Sequence, residues 1–316
     1  MDGIRLLLQR TWVQHALVVV LLSAILLPNM GLGLYDPWES HYAEVARRID
    51  ADGDWLTLRW HADSRLANQA NPRCRANPEE CHFFSKPVLI FWLMALSYRV
   101  LGVGDAAARL PFTLVGIAGL FAVYWYLRRM IGRPAGVLGA AVLATTPFYY
   151  LLSRQIMTDI AFVVPMMVGF LGLSYFLFFK GAPRRHLYLF YAMVGLATLA
   201  KGLLGFLLPG AVVFVLLLLQ PLSFVKRLRQ LRIHEGALVF LAVAGPWYGA
   251  MWAIHADTWF DEFIMKHHFR RAGEGIHGER GGWGYFLPQL FNGLWPWVAL
   301  APAALLIAAG HVAQSF

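Results

Sequence analysis

The chain has 316 residues, of which 59% are hydrophobic and only 14% are charged. A soluble domain carries about a quarter charged residues, so this composition excludes an ordinary soluble protein and indicates an integral membrane protein. The formal net charge of +9 comes from Lys and Arg in short runs between apolar segments. That arrangement is typical of a membrane-topology signal, and we expect no nucleic-acid partner.

Seven apolar runs indicate membrane-spanning helices. They are residues 12–33, 107–127, 134–152, 160–179, 186–219, 236–254 and 286–310. The run 186–219 is too long for one span and contains Lys201, so it predicts two short helices with Lys201 at the turn. The predicted fold class is an all-α polytopic membrane protein with about eight transmembrane helices in one domain, residues 1–316.

The segment 87–102 decides on which side each loop lies. It has about ten apolar residues before a polar end, whereas a span needs about 20. If it crossed the membrane, the basic clusters at 128–133 and 180–186 would lie outside, against the positive-inside rule. If it is an interfacial amphipathic helix, these clusters join those at Arg5/Arg10 and 225–234 on the cytoplasmic side. We therefore predict the interfacial helix.

This topology collects four segments on the outer side of the membrane. They are the first outer loop (33–106), residues 152–159, the turn at Lys201, and the loop 255–286. Within the first of them, residues 34–55 hold six of the 18 acidic residues, which are Asp36, Glu39, Glu44, Asp50, Asp52 and Asp54. We expect these carboxylates to meet lysine, arginine and histidine side chains on the outer side.

Two carboxylates follow the first span directly. Asp36 and Glu39 are three residues apart, so they would share one face if the chain is helical there. The same stretch has an apolar stripe suited to a helix on the membrane surface. A solvated amphipathic helix with ordinary acidic residues explains the pattern equally well.

Three cations and one further carboxylate are candidates for a site. Lys86 begins the predicted interfacial helix, where it could hold a lipid phosphate or merely snorkel to the interface. Lys201 is flanked by apolar residues and therefore needs an anionic partner or a wet cavity. Asp159 follows Arg154 at the start of a span, where it could either favour the helix dipole or belong to a site.

The last outer loop and the cysteines complete the inventory. The stretch 266–286 is rich in basic residues and glycine, which suits a loop that closes over an anionic ligand. Its histidines, His267, His268 and His277, match no strict metal-binding spacing. Cys74 and Cys81 could form a small disulfide loop in an oxidising compartment. Walker, GxGxxG and GxSxG motifs are absent from the sequence, so nucleotide hydrolysis and serine-hydrolase chemistry lack support.

Several ordered motifs resemble one family of membrane enzymes. They are DPWESHYAEVAR (36–47), FFSKPVLIFWLMAL (83–96), AARLPFTLVG (107–116), LSRQIMTD (152–159), LAKGLLGFLLPG (199–210) and GPWY (245–248). Together they resemble the GT-C membrane glycosyltransferases. The similarity is strongest to the bacterial branch that contains aminoarabinose lipid A transferases and protein O-mannosyltransferases, and it covers essentially the whole chain.

The resemblance implies transfer of a sugar, with inversion, from a polyprenyl-phosphate donor to a lipid, glycan or protein acceptor. The reaction would take place at the outer, periplasmic face of a bacterial inner membrane. The implied catalytic carboxylates are Asp36 and Glu39, and the implied donor-phosphate ligands are Lys86, Arg154 and Lys201. Further site candidates are Tyr42, Asp159, His267, His268 and Arg270. A divalent cation is left open as a cofactor.

The sequence departs from the family pattern in two ways. Family members often have adjacent acidic residues before YAE, whereas here Trp38 precedes Glu39 and the nearest aspartate is Asp36. The general base is thus open between Asp36 and Glu39, with a slight preference for Asp36 because Pro37 keeps its backbone extended. The chain also stops at Phe316 after about eight predicted spans, so we expect the C-terminal part of the family to be absent.

Two other functions compete with glycosyl transfer. Intramembrane Lys201 and Asp159 could line the pathway of a transporter. Against this, the charged groups cluster on one side instead of at the membrane midplane, and an inverted repeat is not evident. The chain could also be an inactive, truncated relative of the family.

Overall fold

The computed structural model describes residues 10–61, 74, 77, 81–219, 224–270, 283–304 and 306. Within these ranges the protein is built from helices, and the β-pairing is limited to an isolated bridge between Arg59 and His82. The predicted all-α class is confirmed.

The helices are given in chain order. They are α1 (Thr11–Leu26), α2 (Pro37–Asp52), α3 (Leu89–Leu101), α4 (Asp105–Met130), α5 (Arg133–Ala144), α6 (Pro147–Leu152), α7 (Thr158–Phe178), α8 (Arg185–Lys201), α9 (Leu204–Leu218), α10 (Phe224–Gln230), α11 (Ile233–Trp259) and α12 (Trp283–Leu294). A π-helix (Phe260–Arg270) continues α11, and a 3-10 helix (Trp297–Leu300) follows α12.

Three helices in the described ranges are long and apolar enough to cross a membrane. They are α4, α7 and the continuous stretch Ile233–Arg270. The apolar helices α1, α3, α5 and α9 are shorter, between 10 and 17 residues. A polytopic membrane protein is therefore consistent with the structure, and the count of about eight spans stays a prediction.

Two of the apolar runs are divided in the structure. The run 186–219 forms α8 and α9, with α8 ending at Lys201 as predicted. Gly202 makes this turn with a φ of +71°, a left-handed conformation that favours glycine. The run 134–152, which we expected to be one span, is instead divided into α5 and α6. Pro147 causes the break, because it holds Thr146 extended and cannot donate a backbone hydrogen bond.

The long stretch Ile233–Arg270 is bent near its middle. Ala256 has φ 40° and ψ −122°, which is not helical, and the π-helix begins four residues later. The apolar run of the sequence predicted that this span ends at residue 254. The bend at Ala256 separates the apolar part of α11 from the segment expected on the outer side.

The basic clusters share one end of the helices. Tyr126 Oη and His186 Nδ1, 2.8 Å apart, join the end of α4 to the start of α8. Tyr188 donates to Glu235, which joins the start of α8 to the start of α11. The ring of His15 packs edge-on against aromatic rings of α4, so the start of α1 lies near the end of α4. We call this end the basic end; it contains Arg10, Arg128, Arg184 and Arg229.

The opposite end holds the residues proposed for a site. It comprises the first turns of α4 and α7 and the last turn of α8, and we call it the acidic end. Helix α3 lies along α2 there: Arg99 pairs with Asp50 at 3.0 Å, and Ser97 Oγ donates to the Ala107 carbonyl at 2.6 Å. With 13 residues, α3 is about 20 Å long, which is less than the hydrocarbon thickness of about 30 Å.

A disulfide closes a small loop within the first outer loop. Cys74 and Cys81 are joined, with their Cα atoms 4.7 Å apart, which confirms the pairing that the spacing allowed. Beside this bond, the Trp60 N–H donates to the Cys81 carbonyl at 2.7 Å. The disulfide therefore secures the segment that leads to Lys86.

Candidate active site

Glu39 and Arg109 form a buried ion pair at the acidic end. Their exposed fractions are 1% and 4%, and Arg109 donates to the two carboxylate oxygens over 3.1 and 2.8 Å. The N–H groups of Ile156 and Tyr35 donate to the same two oxygens, at 3.0 and 3.2 Å. Each oxygen of Glu39 therefore accepts two hydrogen bonds. Burial alone would raise the pKa of Glu39, but these hydrogen bonds and the Arg109 charge lower it overall.

Arg109 uses its other N–H groups on the chain before α2. It donates to the carbonyls of Met30, Leu32 and Gly33. The pair thus fastens three segments together: the end of the first apolar run, the start of α2 and the loop before α7. Sequence reasoning missed this role for Arg109, although a charge inside the apolar run 107–127 was a visible signal, as it was at Lys201.

Asp36 lies in a different environment from Glu39. It is half-buried and extended, with φ −93° and ψ 133°, as the following proline predicts. Its Oδ1 accepts the Trp38 N–H at 2.8 Å, so Asp36 caps α2 instead of sharing a helical face with Glu39. The other carboxylate oxygen has no hydrogen-bond partner within the described residues. Asp36 therefore offers one oxygen for chemistry.

Lys201 has the anionic partner that its surroundings demand. Its Nζ lies 2.6 Å from Asp159 Oδ1 and 5.3 Å from the centre of the Phe162 ring. The two side chains are 26% and 39% exposed, so a ligand can reach them. Asp159 also lies in the first turn of α7, where the helix dipole favours a negative charge.

His268 docks the π-helix onto the turn after Lys201. Its Nε2 accepts the Leu203 N–H at 3.1 Å, and Nδ1 faces the Phe263 carbonyl at 2.7 Å. These partners require a neutral imidazole with its proton on Nδ1. A Cβ at Gly202 would lie 2.2 Å from Nε2, so only glycine allows this approach. Burial lowers the pKa of His268, the hydrogen bond to the Phe263 carbonyl raises it, and the positive charge of Lys86 lowers it further.

The remaining candidates are distributed around this centre. Tyr42 is buried and packs edge-on against Phe91, with ring centres 5.7 Å apart. Arg154 donates to the Tyr150 hydroxyl and to the Pro28 carbonyl. His267 is half-buried and Arg270 is exposed. Residues 271–282, with His277 and the expected mobile loop, lie outside the described residues.

A metal site in the described part of the chain would require a cluster of side chains that could bind the ion. There, no group of three or more His, Cys, Asp or Glu side chains is arranged to hold a metal ion. The divalent cation considered from the sequence stays a prediction.

Comparison with known proteins decides the family. Residues 85–250, more than half of the chain, match the profile of the dolichyl-phosphate-mannose-protein mannosyltransferase family. The chain belongs to this family. The matched residues run from just before Lys86 to a point about two thirds of the way along α11, so they include Arg109, Asp159 and Lys201.

Curated relatives and a solved structure agree with this family. An undecaprenyl phosphate-alpha-4-amino-4-deoxy-L-arabinose arabinosyl transferase of Pectobacterium atrosepticum is 27% identical over 91% of the chain and 49% of the relative. Its counterpart in Pseudomonas aeruginosa is 28% identical, over 94% and 50%. A crystal structure of ArnT from Cupriavidus metallidurans bound to undecaprenyl phosphate matches with a TM-score of 0.77 and 24% identity, over 93% and 51%. That likeness shows the fold, and the chain spans about half the length of these relatives.

Proposed function

We propose that the chain is a glycosyltransferase that takes a sugar from a polyprenyl-phosphate donor. The acidic end would face the periplasm, and the acceptor would be a lipid, glycan or protein. Family membership and the activity of the arabinosyl transferase relatives support the reaction class. The single observation that carries the proposal is the contact of Lys201 with Asp159, next to the turn that His268 holds, at the end of the helices where the segment before α7 contacts the start of α2.

The proposed donor site uses the accessible cations. Lys201 and Lys86 bind the donor phosphate, and they stabilise the negative charge that grows on it as the bond to the sugar breaks. Asp159 holds the ammonium group of Lys201 in place before the donor arrives. His268 fixes the turn that follows Lys201 through the Leu203 N–H, so it acts as a positioning residue.

The proposed acceptor chemistry rests on Asp36. Its oxygen that has no partner in the described chain takes the proton from an acceptor hydroxyl, or orients an acceptor phosphate, for attack on the anomeric carbon. The attack comes opposite to the bond between the sugar and the phosphate, and the phosphate leaves with the bonding electrons, so the anomeric centre is inverted. Glu39 positions the loop instead of exchanging protons, because each of its oxygens already accepts two hydrogen bonds.

We assign structural roles to the other predicted site residues. Arg154 holds the end of the first apolar run near the donor site through the Pro28 carbonyl. Tyr42 braces α2 against α3. His267 and Arg270 lie on the π-helix, which ends at Arg270.

The proposed orientation places the basic end in the cytoplasm of a bacterial inner membrane. The gathering of the basic clusters at one end supports it through the positive-inside rule. In the same arrangement α3 is the interfacial helix, because its contacts with α2 and with the start of α4 lie at the acidic end.

The test is mass spectrometry of envelope lipids and glycans from cells with and without the gene. Loss of one sugar modification, restored by the gene, is the expected result. Unchanged lipids and glycans together with altered solute uptake would contradict the proposal and indicate a transporter. The nature of the lost group would identify the sugar and the acceptor.

A further inference from the structure

The basic end contains an open pocket lined by arginine. Its polar lining is Arg184, Arg229, Gln230 and Arg232, and its volume is about 430 Å³. Arg232 already pairs with Glu235, whereas Arg184 and Arg229 form no ion pair within the described part of the chain. The start of α8 follows Arg184 directly, so the positive end of its dipole adds to the charge. We call this site the basic pocket; it is shaped and charged for an anion.

An apolar cleft continues from the basic pocket toward the middle of the helices. It is lined by leucine, valine and phenylalanine of α7 and α9, including Leu173, Val213 and Leu216. Leu177 lines both cavities, and Leu231 of the cleft lies between Gln230 and Arg232 of the pocket. The cleft is narrow, with about 20 Å³ of free space, so a hydrocarbon chain would lie along its mouth.

The basic pocket is remote from the candidate active site. Arg184 and Lys201 lie at opposite ends of α8, which has 17 residues and is therefore about 25 Å long. One phosphate group cannot contact both residues. The ligand of the basic pocket is thus a different molecule from the donor bound at Lys201.

We propose that the basic pocket and the apolar cleft together bind an anionic glycerophospholipid. The phosphate headgroup contacts Arg184 and Arg229, and one acyl chain lies against α7 and α9. Arginine suits this ligand because its planar fork donates two hydrogen bonds to a phosphate. Basic pockets between membrane helices select anionic headgroups for the same reason. The occupant holds α7, α9 and α10 together at the end away from the chemistry.

The test is lipid retention by the purified full chain in native mass spectrometry. The probes are phosphatidylglycerol, phosphatidylcholine and undecaprenyl phosphate, each added separately. Arg184→Gln with Arg229→Gln is expected to reduce phosphatidylglycerol retention about tenfold, since two charge-assisted contacts are lost. The matched control, Arg10→Gln with Arg133→Gln, removes two exposed charges outside the pocket and is expected to retain phosphatidylglycerol as the unaltered chain does.

A second pair of variants tests the apolar cleft. Leu216→Trp fills the mouth of the cleft and is expected to reduce phosphatidylglycerol retention, whereas Val215→Trp, on an exposed neighbour outside the lining, leaves it unchanged. Equal retention of phosphatidylcholine and phosphatidylglycerol by the unaltered chain would overturn the proposal. Unchanged phosphatidylglycerol retention in the variant with Arg184→Gln and Arg229→Gln would also overturn it. Loss of undecaprenyl phosphate alone in that variant would assign the pocket to the polyprenyl lipid instead.

Discussion

Asp36 and Glu39 are three positions apart, yet their environments assign them different work. Glu39 is buried with every oxygen engaged, and Asp36 is half-buried with one oxygen on the α2 cap. The proline after Asp36 predicted its extended backbone. The Arg109 partnership of Glu39 could not be predicted from local pattern, because the two residues are 70 positions apart.

At the Asp36 cap we predict that the hydrogen bond stabilises the fold and that the negative charge does not. Asn accepts a capping hydrogen bond as well as Asp does, so Asp36→Asn should leave the melting temperature of the detergent-purified chain unchanged. Asp36→Ala removes the cap and should cost about 1 kcal/mol. Thermal melting of both variants checks this, and a large loss of stability in Asp36→Asn would make the Asp36 charge structural.

At Glu39 we predict a structural lesion with a defined pH dependence. Glu39→Gln leaves Arg109 buried without its counter-ion and should cost about 3 kcal/mol of folding stability at neutral pH. The lowered pKa of Glu39 means that its stabilisation is complete above its ordinary value of 4.5 and is lost as the pH falls below it. The difference in melting temperature between the variant and the unaltered chain should therefore be constant from pH 7 to about pH 5 and shrink as the pH falls below 4.5. A difference that already shrinks between pH 7 and about pH 5 would contradict the assignment.

At the two lysines we predict weaker use of the donor. Lys86→Ala and Lys201→Ala each remove a charge-assisted contact to phosphate, which is expected to lower donor use about ten- to hundredfold. Lys180→Ala, at an exposed lysine after α7, is the matched control and should have no effect. Normal turnover in both site variants would indicate that these lysines do not bind the donor phosphate and only snorkel to the membrane interface.

Individual elements were predictable where one residue dictates the local backbone. Lys201 predicted the break between α8 and α9, and Pro147 carried a signal for the break between α5 and α6 that we did not use. Hydropathy alone predicted the end of the span at residue 254, two residues before the bend at Ala256. The docking of the π-helix on Gly202 was not predictable, because it depends on contacts between residues 65 positions apart.

At the turn between α8 and α9 we predict a steric effect that can be relieved. Gly202→Ala places a Cβ on His268 and should lower both melting temperature and donor use. Gly53 has the same φ of +71° with open space around it, so Gly53→Ala measures the backbone cost alone. Adding His268→Ala to Gly202→Ala should recover part of the stability. Equal effects at Gly202 and Gly53 would contradict a steric role for His268.

Across the whole molecule, charge asymmetry was the most informative part of the sequence. The positive-inside rule grouped the basic clusters on one side, and the contacts of His15, Tyr126 and Tyr188 place them at one end. The number of spans was harder to predict, because α3, α5 and α9 are shorter than a full membrane crossing. The site itself needs the fold, since Asp159 and Lys201 come from different helices.

The orientation can be read from labelling of single cysteines with an impermeant maleimide. Positions 184 and 229 are exposed at the basic end and should react only after the membrane is permeabilised. Positions 35 and 270 are exposed at the acidic end and should react in intact cells. Cys74 and Cys81 are disulfide-bonded and give no background. Labelling of position 184 from outside would reverse the orientation.

We propose that Asp36 is the general base of glycosyl transfer at the acidic end. The most direct measurement is the modified lipid or glycan, quantified by mass spectrometry in cells that lack the gene and carry Asp36→Asn. A positioned general base contributes about a hundred- to ten-thousandfold, so we expect almost no product at an unchanged amount of protein in the membrane. Product at the level given by the unaltered chain would contradict it.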